Sequence, residues 1–168
     1  MKTLLLILFL IGSTAVAVIF FSKKGFFIKK EEKLPFKKRK YFFSEAEKKF
    51  YLILKQIADK NNLVVFSKVR LLDLFLIQEK DYKSRMSNRG KIIQKHIDFL
   101  LCDNKAFSPM IGIELDDSSH YRSKRMQRDD FVNKVFASAE LPLLRVKVAF
   151  NYNVNSLEQS ILEKIKKK

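Results

Sequence analysis

Cysteine is nearly absent from these 168 residues: Cys102 stands alone. One thiol excludes an internal disulfide, and a chain that needs none points to a reducing compartment. With only two histidines beside it, there is no Cys/His cluster of the kind that binds zinc. Cys102 lies inside the apolar run Leu100-Leu101-Cys102, which reads as a buried structural thiol rather than a nucleophile. Acidic residues are also scarce, 18 against 34 Lys and Arg, giving a formal net charge of +16 and a pI near 9.9. That balance points to an acidic partner, either nucleic acid or anionic lipid. No segment repeats another.

The basic excess is spread along the chain. Residues 22–41 carry nine Lys/Arg against two Glu, and residues 42–168 carry 24 against 16. Before both lies Thr3 to Phe21, 19 residues without a charge. This is close to the roughly 20 apolar residues a helix needs to cross a bilayer. Ala15-Val16-Ala17 resembles a signal-peptide cleavage site, so export after cleavage near Ala17 is the alternative. The apolar run continues past that site, however, and Lys23, Lys24, Lys29 and Lys30 follow it, which opposes translocation of what comes next. We therefore expect three parts: a transmembrane anchor over 1–21, a basic juxtamembrane linker over 22–41, and a folded domain over 42–168 on the cytoplasmic side. The lysines of the linker suit anionic headgroups.

Within the domain, Ser44 followed by Glu47 has the spacing of a capping box, and Phe50, Tyr51, Ile53, Leu54, Ile57 and Ala58 continue at helical period to about Lys60. Glu47 falls on the same stripe, so it can serve as cap, as site residue or as both. Leu63 to Arg70 reads as a strand. Leu71 to Ile77 extends it or forms a short helix, and the basic stretch 78–95 reads as a loop or a short helix near its end. Strands are expected at about 96–102 and 110–116, joined by turn residues at Asp103-Asn104-Lys105. A helix over 125–139, opened by Asp129 and Asp130 near its positive end, a strand through Ala149, and a last helix capped at Asn155-Ser156 complete the order. The whole is α/β, a mixed sheet flanked by helices.

The two central strands are unusual because each carries acid: Asp98 in the first, Glu114 and Asp116 in the second. Residues two apart on a strand share a face, so Glu114 and Asp116 point the same way. If the strands are neighbours, all three carboxylates converge. Carboxylates gathered out of water need a cation, and an all-oxygen set suits Mg²⁺ or Mn²⁺. That combination belongs to phosphodiester hydrolysis. Basic residues surround the acids: Lys91 and Lys95 before them, and Arg122, Lys124, Arg125 and Arg128 after His120. They are candidates for phosphate contact. Asp98 could instead pair with an arginine such as Arg145.

An inward Glu on the first helix, then an Asp on a strand, then E-x-D-x-x-x-H closing the next strand, resembles the PD-(D/E)XK nuclease superfamily. Within it, SEAEKKFYLIL, KVRLLDL, KHIDFLLCD, IELDDSSH, RDDFVNKVF and LPLLRV are similar to the DUF2726 family and its very-short-patch-repair-like relatives. The resemblance spans about Phe43 to Val146. It implies a restriction-endonuclease-like αβββαβ core with Asp98 and Glu114 as metal ligands. Glu47, Asp116 and His120 would complete the site. The superfamily usually ends its motif in lysine, where this chain has Asp116; His120, Lys68 or His96 could take the missing role. The expected substrate is nucleic acid, with DNA placed ahead of RNA. A non-cleaving nucleic-acid-binding module and a basic membrane-associated structural protein are the alternatives.

Overall fold

The computed structural model describes residues 2–23, 33–116 and 122–167, with the side chains of Leu4, Leu8, 17–23 and 122–129 outside the description. The chain divides into two compact units, Met1–Lys40 and Tyr41–Lys168. The first unit holds α1 (Lys2–Lys23), a helix whose Leu5, Leu6, Ile7, Phe9, Leu10, Ile11 and Val16 are all exposed. Among the described residues no helix is long and apolar enough to cross a membrane, so the transmembrane helix read from the sequence rests on the sequence.

The second unit runs α2 (Glu45–Lys60), β1 (Leu63–Arg70), α3 (Leu71–Leu74), α4 (Tyr82–Ile92), β2 (His96–Asp103), β3 (Pro109–Asp116), α5 (Arg122–Ser138), β4 (Leu143–Lys147) and α6 (Val154–Lys166). The four strands form one mixed sheet in the order β1-β2-β3-β4. β1, β2 and β3 are antiparallel neighbours, and β4 joins β3 in parallel after the α5 crossover. Helices cover both faces. On one face α2 and α6 bury Phe50, Leu54, Ile57, Leu157 and Ile161 against Phe99, Leu101, Ile111 and Ile113. On the other, Leu71, Ile92, Val132 and Phe136 pack on Ile97, Leu100 and Cys102. The strands that supply both layers are therefore apolar on both faces, which is why His96 to Asp103 reads as a nearly continuous apolar run rather than an alternating one.

Local chemistry sets the boundaries. The capping box forms as expected: Ser44 N donates to Glu47 Oε2 at 2.7 Å and Glu47 N to Ser44 Oγ at 3.2 Å. Asp103 organises the β2–β3 turn by accepting from the backbone N–H groups of Lys105, Ala106 and Ser108. Three corrections concern helices. The stretch 78–95 contains an eleven-residue helix, α4, because the Asp81 carboxylate caps it through Ser84 N at 2.7 Å. Only Ile92 of α4 is buried, so no apolar stripe announced it. The last helix is capped by Asn153, whose Oδ1 accepts from Ser156 N at 3.0 Å, rather than by Asn155. α5 begins at Arg122, so Asp130 lies inside the helix rather than at its start, and it pairs with Lys134 one turn on. Leu71 to Leu74 forms a short helix, and β4 ends at Lys147, two residues before the expected end.

At Gly112, β3 lies close against Phe136 of α5. A Cβ there would lie 2.5 and 2.8 Å from two ring carbons of buried Phe136 and 3.3 Å from Ile97 Cδ1. Gly112→Ala is expected to lower stability by about 1–3 kcal/mol, as overpacking does, read as a reduced midpoint in urea denaturation.

Candidate active site

The sheet changes character at one level. In β1, Val64 and Val69 pack into the same layer although they are five positions apart, which should put them on opposite faces, and Lys68 between them has a φ of 53°. A non-glycine residue in the left-handed region reverses the alternation of a strand locally. β2 shows the matching fault: Phe99 and Leu101 face α2, but Ile97 packs in the layer of α5. The register pairs Ser67 with Phe99 and Val69 with Ile97, so Lys68 and Asp98 stand opposite each other at the fault.

The β2–β3 ladder also ends here. Its last pair is Phe99 with Ile113, and Asp98 is the next residue on β2, Glu114 the next on β3. In place of a continued ladder, Leu115 N donates to Asp98 Oδ2 at 2.8 Å. Glu114 pairs in register with Arg145 of β4. A single row across all four strands thus reads Lys68, Asp98, Glu114, Arg145: cation, acid, acid, cation. The row is one of backbone register: Lys68 bonds to Glu47 on α2 and Arg145 to Asn133 on α5, which cover opposite faces of the sheet.

Each end of the row is held from a neighbouring position. Lys68 Nζ donates to Glu47 Oε1 at 2.5 Å, with both side chains largely shielded from solvent. Glu47 therefore caps α2 and holds Lys68 together, one carboxylate oxygen to each. Burial pushes its pKa up, but the Lys68 hydrogen bond, the Ser44 bonds and the Lys68 charge outweigh this, and the carboxyl is held below its usual value of 4.5. At the other end Arg145 donates through Nη1 to Asp116 Oδ1 at 3.0 Å and through Nε to Asn133 Oδ1 on α5 at 3.2 Å. The arginine partner suggested for Asp98 is thus the partner of Asp116.

The depressed pKa of Glu47 fixes a sign. The stability it adds is full above the unfolded carboxylate value and is lost as pH falls through the lower folded value. Glu47→Gln keeps the capping geometry and loses the ion pair. At neutral pH it should be less stable by about 1.5–3 kcal/mol, the worth of a hydrogen bond to a charged group. The gap should close in acid, as seen by thermal melts of both proteins across the acid range.

The other sequence candidates are placed less centrally. Lys91 sits in the last turn of α4 and donates to Asn88 Oδ1 at 3.2 Å. Lys95 precedes β2, with Nζ 5.8 Å from the Phe131 ring centroid. His96 is exposed at the start of β2. His120 lies outside the described residues, as do the side chains of Arg122, Lys124, Arg125 and Arg128, whose backbone belongs to α5. Cys102 is buried, and burial followed by the charge of Asp103 pushes its thiol up to about 11, which suits a structural residue. Among the described residues no three His, Cys, Asp or Glu side chains form a group that could hold a metal ion by themselves.

The family described as a protein of unknown function, DUF2726, matches residues 39–165. The chain belongs to the DUF2726 family. No curated protein and no solved structure matches it. The DUF2726 match begins just before the second compact unit and covers every residue of the charged row. What sequence reasoning underrated in this DUF2726 domain is Lys68. Its only signal was a polar pair, Ser67-Lys68, interrupting the apolar run of β1. Its conformation and its link to Glu47 are tertiary facts.

Proposed function

We propose that this DUF2726 domain is a metal-dependent nuclease with a restriction-endonuclease-like core of the PD-(D/E)XK superfamily. The observation that carries the proposal is the row Lys68–Asp98–Glu114–Arg145, set where two strands fault together and a ladder ends. Bulges and strained backbone are over-represented next to active sites. Two opposed carboxylates are what Mg²⁺ or Mn²⁺ takes from protein when water and substrate phosphate supply its other ligands. Asp98 and Glu114 would hold the ion, which when bound supplies Lewis-acid polarisation and a more acidic water.

The chain's own groups do the rest. Lys68, fixed by Glu47, presents an ammonium to the developing charge on the phosphate and takes the part that lysine of the E-x-K motif plays in the superfamily. Asp116 stands at that motif position and is neutralised by Arg145, so the pair holds β3 to β4 at the edge of the site. His120 and the basic residues Arg122, Lys124, Arg125 and Arg128 follow directly in sequence and would contact the leaving oxygen and the backbone phosphates, with Lys91 and Lys95 contributing to the basic surface. The nucleic acid is DNA ahead of RNA. The uncharged segment Thr3–Phe21, with its exposed leucines and phenylalanine in α1 and the basic residues after it, supports a single-pass anchor with the domain on the cytoplasmic side.

One specific observation favours the non-cleaving reading: both oxygens of Glu47 are committed, Asp116 is ion-paired, and Asp98 Oδ2 already accepts from Leu115 N. The two readings part on a fragment from Phe36 onward, which encloses the second compact unit. Single- and double-stranded DNA and RNA are incubated with it while Mg²⁺ or Mn²⁺ is titrated. Cutting that rises with metal and disappears with chelator is the expected result. Tight binding without cutting on every substrate at every metal concentration would replace the nuclease with a binding module.

A further inference from the structure

Beside Lys68 lies an aromatic ring that the charged row does not use. Phe42 is 63% exposed. It is nonetheless fixed: its ring meets Phe43 edge-on at 5.0 Å, and Phe43 in turn packs on Tyr51 and on fully buried Phe99. Lys68 Nζ, the same atom that binds Glu47, stands 5.8 Å from the Phe42 centroid and 5.9 Å from that of Phe43. A second exposed ring has the same company. Phe150 is 83% exposed, and Lys49, on α2 two residues from Glu47, places Nζ 4.7 Å from its centroid. The loop carrying Phe150 is itself tied down, because Tyr152 packs edge-on to Phe50 while its hydroxyl accepts from Ala149 N at 3.1 Å.

An exposed phenylalanine held rigid beside an ammonium presents a flat apolar face and a positive charge at one place. A nucleotide presents the complement, a flat base and a phosphate. In a duplex the faces of the bases are covered by their neighbours, so a ring can stack only on a base that is unpaired and splayed out. We infer that the domain takes single-stranded nucleic acid or unpaired ends, with Phe42 stacking on a base whose phosphate lies at Lys68, and Phe150 with Lys49 as a second such platform. The inference rests on reading the Lys68–Asp98–Glu114 row as a nucleic-acid site and adds the strandedness of the substrate.

The chain contains no tryptophan, so Phe42→Trp puts its only indole at the proposed platform. The full chain in detergent micelles, with chelator present to prevent cutting, is titrated with an unstructured pyrimidine oligonucleotide and with a duplex of equal length. Single strand is expected to bind more tightly and to quench the indole, and duplex to leave its emission unchanged. Phe42→Ala should weaken single-strand binding by about five- to a hundredfold, the effect of removing one stacking ring, with duplex affinity unchanged and the melting temperature as control. Duplex bound as tightly as single strand, or an equal loss on both in Phe42→Ala, overturns the inference and leaves the nucleic-acid site standing. Binding to neither substrate removes both.

Discussion

Asp98→Ala is expected to abolish metal-dependent cutting and to destabilise the domain, whereas Asp98→Asn should abolish cutting alone. The difference follows from the hydrogen bond this carboxylate accepts and the ligand role proposed for it. Oδ2 accepts the hydrogen bond of Leu115 N, which would otherwise face the gap at the end of the β2–β3 ladder without a backbone partner. Alanine removes the acceptor and leaves a half-buried N–H unsatisfied, at a cost of about 1–3 kcal/mol. Asparagine offers a carbonyl oxygen in the same place and can keep the bond. It cannot keep the negative charge, and a hard divalent cation depends on that charge. Outer-shell partners of a metal already carry about 10- to 100-fold in affinity or activity, so loss of a ligand should reduce cutting by at least about a hundredfold. Glu114→Gln should match Asp98→Asn in this respect. Urea denaturation and a cleavage time course on the same preparations give the answer. If Asp98→Asn cuts as well as the unsubstituted protein, Asp98 is a splice in the sheet and the proposed ligand pair is wrong.

Contacts of this kind also explain how far the sequence could be read. Helix and strand positions were legible wherever a periodic apolar face met a cap: Ser44 with Glu47 opened α2 as expected, and Asp103 closed β2 through three backbone bonds. The acids of β2 and β3 were legible because a carboxylate inside an apolar strand is costly and therefore conspicuous. α4 was legible only as the short-helix alternative to a loop, since a helix that buries one residue has no stripe to find. The cap of α6 was misplaced by two residues because Asn153 and Asn155 are the same residue type, and only geometry distinguishes the one whose carbonyl reaches Ser156 N. The partner of Arg145 was likewise beyond reach. Asp98 and Asp116 are equivalent on paper, and the parallel β3–β4 register, set by the α5 crossover, decides for Asp116. Lys68 shows the limit most clearly. A left-handed residue in mid-strand breaks the period on which strand reading depends, so the residue placed opposite Asp98 is the one that alternation describes worst.

Phe99→Ala is expected to destabilise the domain by about 3–5 kcal/mol, the loss typical of a buried ring truncated to a methyl group. Its side chain is fully buried, and it meets Phe50 at 5.6 Å, Phe43 at 6.1 Å and Tyr51 at 6.3 Å between centroids. Truncation leaves a cavity that three rings line and that α2, fixed at both ends by its caps, cannot collapse to fill. Against a total stability of about 5–15 kcal/mol for an ordinary domain, that loss is a large fraction. Phe107 provides the control. Its ring pairs with Phe66 at 6.3 Å, but it is 56% exposed, and Phe107→Ala should fall within about 0.5 kcal/mol of the parent, as surface changes do. The position of Phe99 adds a second consequence. It forms the last β2–β3 pair, with Ile113, and the next residue is Asp98. A ladder loosened at that pair should open more often where Asp98 holds Leu115, so the Leu115 amide should exchange its hydrogen faster in Phe99→Ala, measured without denaturant at a pH where the domain remains folded. Faster exchange at Leu115 together with a lowered urea midpoint would tie the aromatic core under α2 to the geometry of the acid pair. An unchanged Leu115 rate in a destabilised protein would show that the core and the site open independently.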